Sequence, residues 1–260
     1  IIAFTHCREV AVEATLAGGF AVLGQAMKTA DEIAKDIAWL RERIGSRPFG
    51  IDLVLPSSAP RAASVPELMA EIPSEQRDFA DRIRVQYDVP APKGAVDLHQ
   101  WGGLTKRIGE GQIDVLLDER VPVIATGLGS PPRLIEAAHE RGLRVFGLIG
   151  MARQAQQQIE RGVDAVVAQG YDAAGHTGAT GTFSIVPEVV AIAGRTPVIA
   201  AGGVTTGRHL AAALCLGAVG VWTGTVWLAS FESDIDEIVK ERILSATGDE
   251  LRGDLPCCRD

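Results

Sequence analysis

The stretch AQGYDAAGHTG, residues 168–178, sets a histidine just past an apolar run and among glycines. An imidazole titrates near neutral pH, so His176 in that setting can act as a base or as a hydrogen-bond donor. Gly175 and Gly178 leave room beside it for a bound molecule. His99, His139 and His209 fall in helical or connecting patterns with polar neighbours and read as ordinary surface or core residues. Asp172 lies four residues before His176, but the intervening Ala-Ala-Gly speaks against a metal-binding helix, and no zinc-type cluster occurs elsewhere.

Two further stretches have the chemistry of a phosphate site. AAGGVTTGRHL joins an apolar run to a helix start through Gly202 and Gly203, with Thr205 or Thr206 as N-cap. Glycine lets backbone N–H groups approach an anion, and the helix N-terminus adds a favourable dipole. GVWTGTVWL supplies Gly224 and Thr225 in the same position after the next run. Tight strand-to-helix turns need glycine in any case, so it is the pair, on consecutive runs, that points to phosphate. Other chemistries lack their signatures. Lys28, Lys35, Lys93, Lys106 and Lys240 all lie away from the ends of the apolar runs, which disfavours a Schiff-base aldolase. GxSxG, GxxxxGK[ST] and a GxGxxG after the first run are all missing.

The elements that must position these residues repeat along the chain. Eight short apolar runs occur, at 1–4, 20–24, 49–56, 122–127, 144–150, 165–170, 197–203 and 220–225. They are continuous and not alternating, which is how strands buried on both faces of a parallel sheet read. Between them lie helical patterns such as 132–142 and 151–162, opening near Pro or a small residue and stopping at Gly. Starts at 122, 144 and 165 are spaced by 22 and 21 residues, the period of a βα unit with short loops. From 165 to 197 the step is 32, and the excess falls on the histidine stretch. Eight such units predict an α/β fold, a (β/α)8 TIM barrel, with an open doubly wound sheet as the weaker option. The chain reads as one domain over 1–260. An irregular insertion lies around 57–120, rich in Pro, Ser and Ala at its start and carrying helices near 74–87 and 104–118. In such a barrel chemistry sits at the C-terminal ends of the strands, where the stretches above fall.

Bulk properties narrow the class. Of 260 residues, 47% are hydrophobic and 22% charged, as in a well-packed globular protein. The net charge of -8 argues against a nucleic-acid partner. No apolar run approaches the ~20 residues of a membrane span, and no secretory signal is evident. Cys7, Cys215, Cys257 and Cys258 form neither a metal motif nor a disulfide framework, so a cytoplasmic setting is expected. The chain opens on Ile1 inside an apolar run, without Met, so an upstream stretch is expected.

Taken together, AQGYDAAGHTG, GTFSIVPEVV, PVIAAGGV and ALCLGAVGVWTGTVWL resemble the nitronate monooxygenases, once called 2-nitropropane dioxygenases. The likeness extends back through RPFGIDLVLP and AGGFAVLG, and the QGxxAxGHxG string is its specific part. The resemblance implies a barrel holding FMN at the strand ends and oxidising an alkyl nitronate or similar small anion with O2. Gln169 then matches the glutamine that contacts the flavin ring, Gly175 the loop beside the cofactor, and His176 the active-site histidine. Gly202, Gly203, Gly224 and Thr225 match the phosphate cradle. This sequence departs from the family at several places. Asp52 replaces the asparagine of GVNL, and Ala174 the first glycine of GGH. Where the family has a strand ending QAPM, this chain has Phe4, Thr5, His6 and Cys7, which makes His6 and Cys7 candidate substrate contacts. The chain also ends, at GDLPCCRD, sooner than the family pattern.

Two alternatives remain open at this point. One keeps the flavin but reduces an enoyl thioester with NAD(P)H, so the redox partner is O2 or a nicotinamide. The other is a flavin-free barrel acting on a sugar phosphate as an isomerase or synthase. A homo-oligomer is compatible with either.

Overall fold

A computed structural model describes residues 1–56, 70–90 and 106–247. Eight strands close into a barrel in the order β1 to β8, and every neighbouring pair is parallel. They are β1 (Ile2–Thr5), β2 (Phe20–Gly24), β3 (Gly50–Val54), β4 (Val123–Gly127), β5 (Arg144–Ile149), β6 (Ala165–Gln169), β7 (Val198–Ala201) and β8 (Gly220–Thr223). All eight predicted runs are strands. Five runs reach one or two residues past their strands, at β3, β5, β6, β7 and β8; in the last two, Gly202, Gly203 and Gly224 already belong to the turns that follow.

Burial on both faces explains the continuous apolar runs. Inward-facing side chains, among them Phe4, Val22, Ala125, Phe146, Val167, Ile199 and Trp222, fill the barrel. Their neighbours in sequence, such as Leu23, Ile51, Ile124, Val166 and Ala200, pack outward under the helices. Each fully buried aliphatic side chain contributes about 1.5–3 kcal/mol relative to exposure.

The helices obey local rules that fix where they start. Ala30–Ile44 opens with a capping box, in which the Glu32 N–H donates to Thr29 Oγ1 at 3.3 Å and the Thr29 N–H donates to Glu32 Oε2 at 2.8 Å. Pro132–Glu140 opens on Pro131 and Pro132, where a missing N–H costs nothing. Ser74–Gln86 and Lys106–Asp118 occupy the insertion close to the predicted spans, and Ser74–Gln86 is exposed or half-exposed along its whole length. The Pro- and Ser-rich start of the insertion, His99, Cys257 and Cys258 lie outside the described residues. Among the described residues, no helix is long and apolar enough to cross a membrane, and no cluster of acids, histidines and cysteines is arranged to hold a metal ion.

Candidate active site

Strand alternation decides which residues look into the mouth of the barrel. On β1 and β8, Phe4 and Trp222 point inward and stack with ring centroids 5.5 Å apart. Phe4 lies against Gly24 at the end of β2, where an added Cβ would meet its ring at 3.1 Å. On β3 both Asp52 and Val54 face inward, Val54 toward the mouth and Asp52 below it at mid-strand, in register with Gly24 on one side and Ala125 on the other. Asp52 is 5% exposed, and its Oδ1 has no hydrogen-bond partner among the described residues. Burial alone pushes its pKa up to about 8. Gln169 ends β6, and its side-chain amide donates from Nε2 to the Ala174 carbonyl at 3.0 Å.

The long loop after β6 is tied down at several points. The Gly170 N–H donates to the Ala201 carbonyl at 3.1 Å and the Tyr171 N–H to Thr180 O at 3.0 Å. Asp172 Oδ2 accepts from the Thr182 N–H at 2.6 Å, and Thr182 Oγ1 donates to Ala201 O at 3.0 Å. At the neighbouring strand end, Gly150 after β5 meets Gly178 backbone to backbone, so closely that a Cβ on either would overlap the other residue. Gly202, at φ +107°, faces Thr182 Oγ1 and Ala173 N of the same loop, where a Cβ would sit 2.6 and 2.9 Å from them. The glycines of this site thus serve chain packing as well as any ligand. From this clasped loop His176 projects exposed, and its ring makes no hydrogen bond or ion pair among the described residues.

The ends of β7 and β8 present backbone donors. Gly203, Val204, Gly224 and Thr225 donate no backbone hydrogen bond among the described residues, and Gly203 and Thr225 are exposed. Two runs of unengaged N–H groups on adjacent strand ends suit the oxygens of a phosphate. The turn after β7 has a partner that the sequence did not single out. His209 accepts the Thr205 N–H at Nδ1, 3.1 Å away, and so fixes the turn from the first coil of the next helix. Its spacing of four residues from Thr205 was the available signal.

The structure gathers Gln169, Ala174, Gly175, His176, Gly202, Gly203, Gly224 and Thr225 on the C-terminal end of the barrel, with Asp52 inside it at mid-strand on β3. Cys7 it turns elsewhere. The residue is the N-cap of the first helix, Arg8–Leu16, 2% exposed, with its one S–H shared between Glu232 O at 3.1 Å and Glu9 Oε2 at 3.4 Å. Burial is the main cause that raises its pKa. His6 is half-exposed beside Asp234, 3.6 Å away, in a polar basin that also holds Arg8, Lys28 and Asp36. Arg8 and Lys28 both reach Asp36 there, at 3.2 and 3.4 Å, and the acids Glu9, Glu232 and Asp234 leave the basin with more carboxylates than cations.

A parallel eight-stranded barrel with phosphate-type donors after its last two strands and a histidine loop after its sixth has the architecture of a flavin-dependent oxidoreductase. Residues 7–253 match the nitronate monooxygenase family, and the chain belongs to it. It is 38% identical to Putative monooxygenase Rv1533 of Mycobacterium tuberculosis over 96% of this chain and 68% of that protein. Among solved structures, nitroalkane oxidase from Streptomyces ansochromogenes superimposes with a TM-score of 0.71 at 26% identity, covering 92% of this chain and 69% of that one. FabK from Thermotoga maritima gives 0.70 at 27% identity, covering 95% and 64%. The chain therefore spans about two thirds of the length of these relatives, between 64% and 69%.

Proposed function

We propose that the protein binds FMN at the barrel mouth and oxidises an alkyl nitronate, or a similar small anion, with O2 as the electron acceptor. The observation that carries this reading is the meeting, on one barrel end, of the His176 loop with the unengaged N–H groups after β7 and β8. When bound, the flavin supplies the two-electron chemistry. Gly202, Gly203, Gly224 and Thr225 hold its phosphate through backbone N–H groups, and the turn set by His209 keeps the first pair in place. Gln169, fixed on the Ala174 carbonyl, lines the ring side of the pocket next to Gly175. His176 has both ring nitrogens uncommitted, so it can hold the anionic oxygens of the substrate or take up a proton. His6 lies at the rim as an additional polar contact, whereas Cys7 is fixed in the fold by its bond to Glu232 O. The free state of Cys7 and Cys215 accords with a reducing, cytoplasmic setting.

Loading and turnover test the reading. The purified protein, as isolated or after addition of FMN, should absorb near about 450 nm. It should consume O2 with propionate 3-nitronate and no nicotinamide. NADH oxidation that depends on a crotonyl thioester would replace the nitronate by an enoyl thioester. A colourless protein that gains no visible band with FMN would leave a flavin-free sugar-phosphate barrel.

A further inference from the structure

Asp52 carries a carboxyl for which the fold has no use. It lies in the middle of β3, faces inward, and has an oxygen sealed from solvent without a partner among the described residues. An unpaired buried oxygen is destabilising, and in native proteins such groups gather where a ligand completes the hydrogen bond. The flanking strands bring no charge to it, since β2 offers Val22 and Gly24 and β4 offers Ala125 and Gly127. Across the barrel the inward residues are Phe4, Leu148, Gln169, Ala201 and Trp222, none of them titratable near neutral pH. With no cation to hold it ionised, burial keeps the proton on the carboxyl up to about pH 8.

We propose that Asp52 stands in the resting protein as a neutral carboxylic acid, and that its O–H is the donor the barrel interior offers to an acceptor atom on the flavin ring. This rests on the flavin reading above. The protonation state decides the chemistry of the position. A neutral acid can donate to a ring oxygen or nitrogen and stabilise negative charge that develops there, whereas a carboxylate can only accept and would repel it. The residue is only 5% exposed, so little solvent competes for the donor. Above its pKa the group ionises, and the donor is lost.

The test uses wild-type protein and Asp52→Asn, both loaded with FMN and titrated from about pH 6 to about pH 10. In the wild type the flavin absorption band shifts in a single one-proton step, and FMN affinity weakens above it by up to about tenfold per pH unit. Infrared spectra of the same samples carry the carbonyl stretch of a protonated carboxyl, which disappears over the same step. Asp52→Asn shows neither the step nor the stretch. A wild-type band that ignores pH, or a step that survives in Asp52→Asn, overturns the donor role while the loaded flavin keeps the flavin reading standing. Protein that takes up no FMN under any condition overturns both. The infrared arm needs no variant, so a poorly folding Asp52→Asn leaves the question decidable: a wild type without the protonated carboxyl stretch at pH about 6 refutes the proposal.

Discussion

Two aspartates of the barrel are treated in opposite ways. Asp164, just before β6 at the N-terminal end, is fully employed. Its Oδ2 accepts the Val145 N–H at 2.8 Å and meets His139 Nε2 at 2.9 Å, and its Oδ1 accepts from Arg144 at 2.7 Å. Burial alone would raise its pKa, but the Val145 N–H, His139 and Arg144 outweigh it and hold the carboxyl below its ordinary value. Asp52, inside the barrel midway along β3, is buried more deeply and bonded to nothing among the described residues, and its pKa moves the other way. The closed end of a barrel serves stability, and the open end serves ligands.

The largest effect that sharpens this contrast is in the pH dependence of stability. Folded Asp52 keeps a proton up to about pH 8, while in the unfolded chain the carboxyl ionises near 3.8, the ordinary value for an aspartate. Between those values unfolding releases a proton, so raising the pH favours the unfolded state. Cofactor-free wild type should lose about 1.4 kcal/mol of stability per pH unit from about pH 4 to about pH 8, several kcal/mol in all. Asp52→Asn, neutral throughout, should lack this slope, as denaturant titrations at a series of pH values would show. Equal slopes for the two proteins would remove the distinction between the two aspartates.

Next in size is His176→Ala. The ring makes no contact that supports the fold, so FMN should remain bound while turnover falls by ~10²-fold or more. Stopped-flow reduction with excess nitronate would measure it. Unchanged turnover would reduce His176 to part of a packed loop, and loss of flavin would make its role structural.

The sequence carried the barrel well because eight runs buried on both faces have no other economical arrangement, and the long step after residue 165 marked the extended loop that carries His176. Continuous burial also hides parity. In GIDLV nothing shows which residues face inward, so only the closed sheet reveals that Asp52 does. Cys7 illustrates the opposite limit. Chain order puts it at a strand end, yet it caps a helix and its thiol is engaged by Glu232, far along the chain. The clasp between Gly150 and Gly178 joins two loops and leaves no local signature beyond glycine itself. His209, in contrast, acts over four residues and was legible in principle.

A smaller effect is expected from Gly178→Ala. The added methyl overlaps the Gly150 backbone, so one of the two loops must move. Stability should fall by about 1–3 kcal/mol, as in other overpacked sites. Because the His176 loop moves with it, FMN affinity and turnover should fall too. A variant that loses stability alone would show that the clasp holds the barrel together without placing the histidine.

The smallest expected effect tests the other aspartate. Asp164→Asn retains an acceptor for the Val145 N–H but loses the charge that faces His139 and Arg144. Those partners are 41% and 66% exposed, so solvent screens much of the attraction, and the cost should be about 1 kcal/mol near neutral pH. The sign of the pH dependence is opposite to that of Asp52. A carboxyl whose folded pKa is depressed contributes stability above its unfolded pKa, and that contribution disappears as the pH falls through the folded value. The difference between wild type and Asp164→Asn should therefore close under acid, where the Asp52 difference has also vanished, and stay constant above about pH 5, where the Asp52 difference grows. Turnover and FMN affinity should match the wild type, since no described residue of the mouth touches Asp164. An Asp164→Asn protein that folds normally but turns over slowly would mean that the two ends of the barrel are coupled, and that an acid at the closed end helps to set the chemistry at the open one.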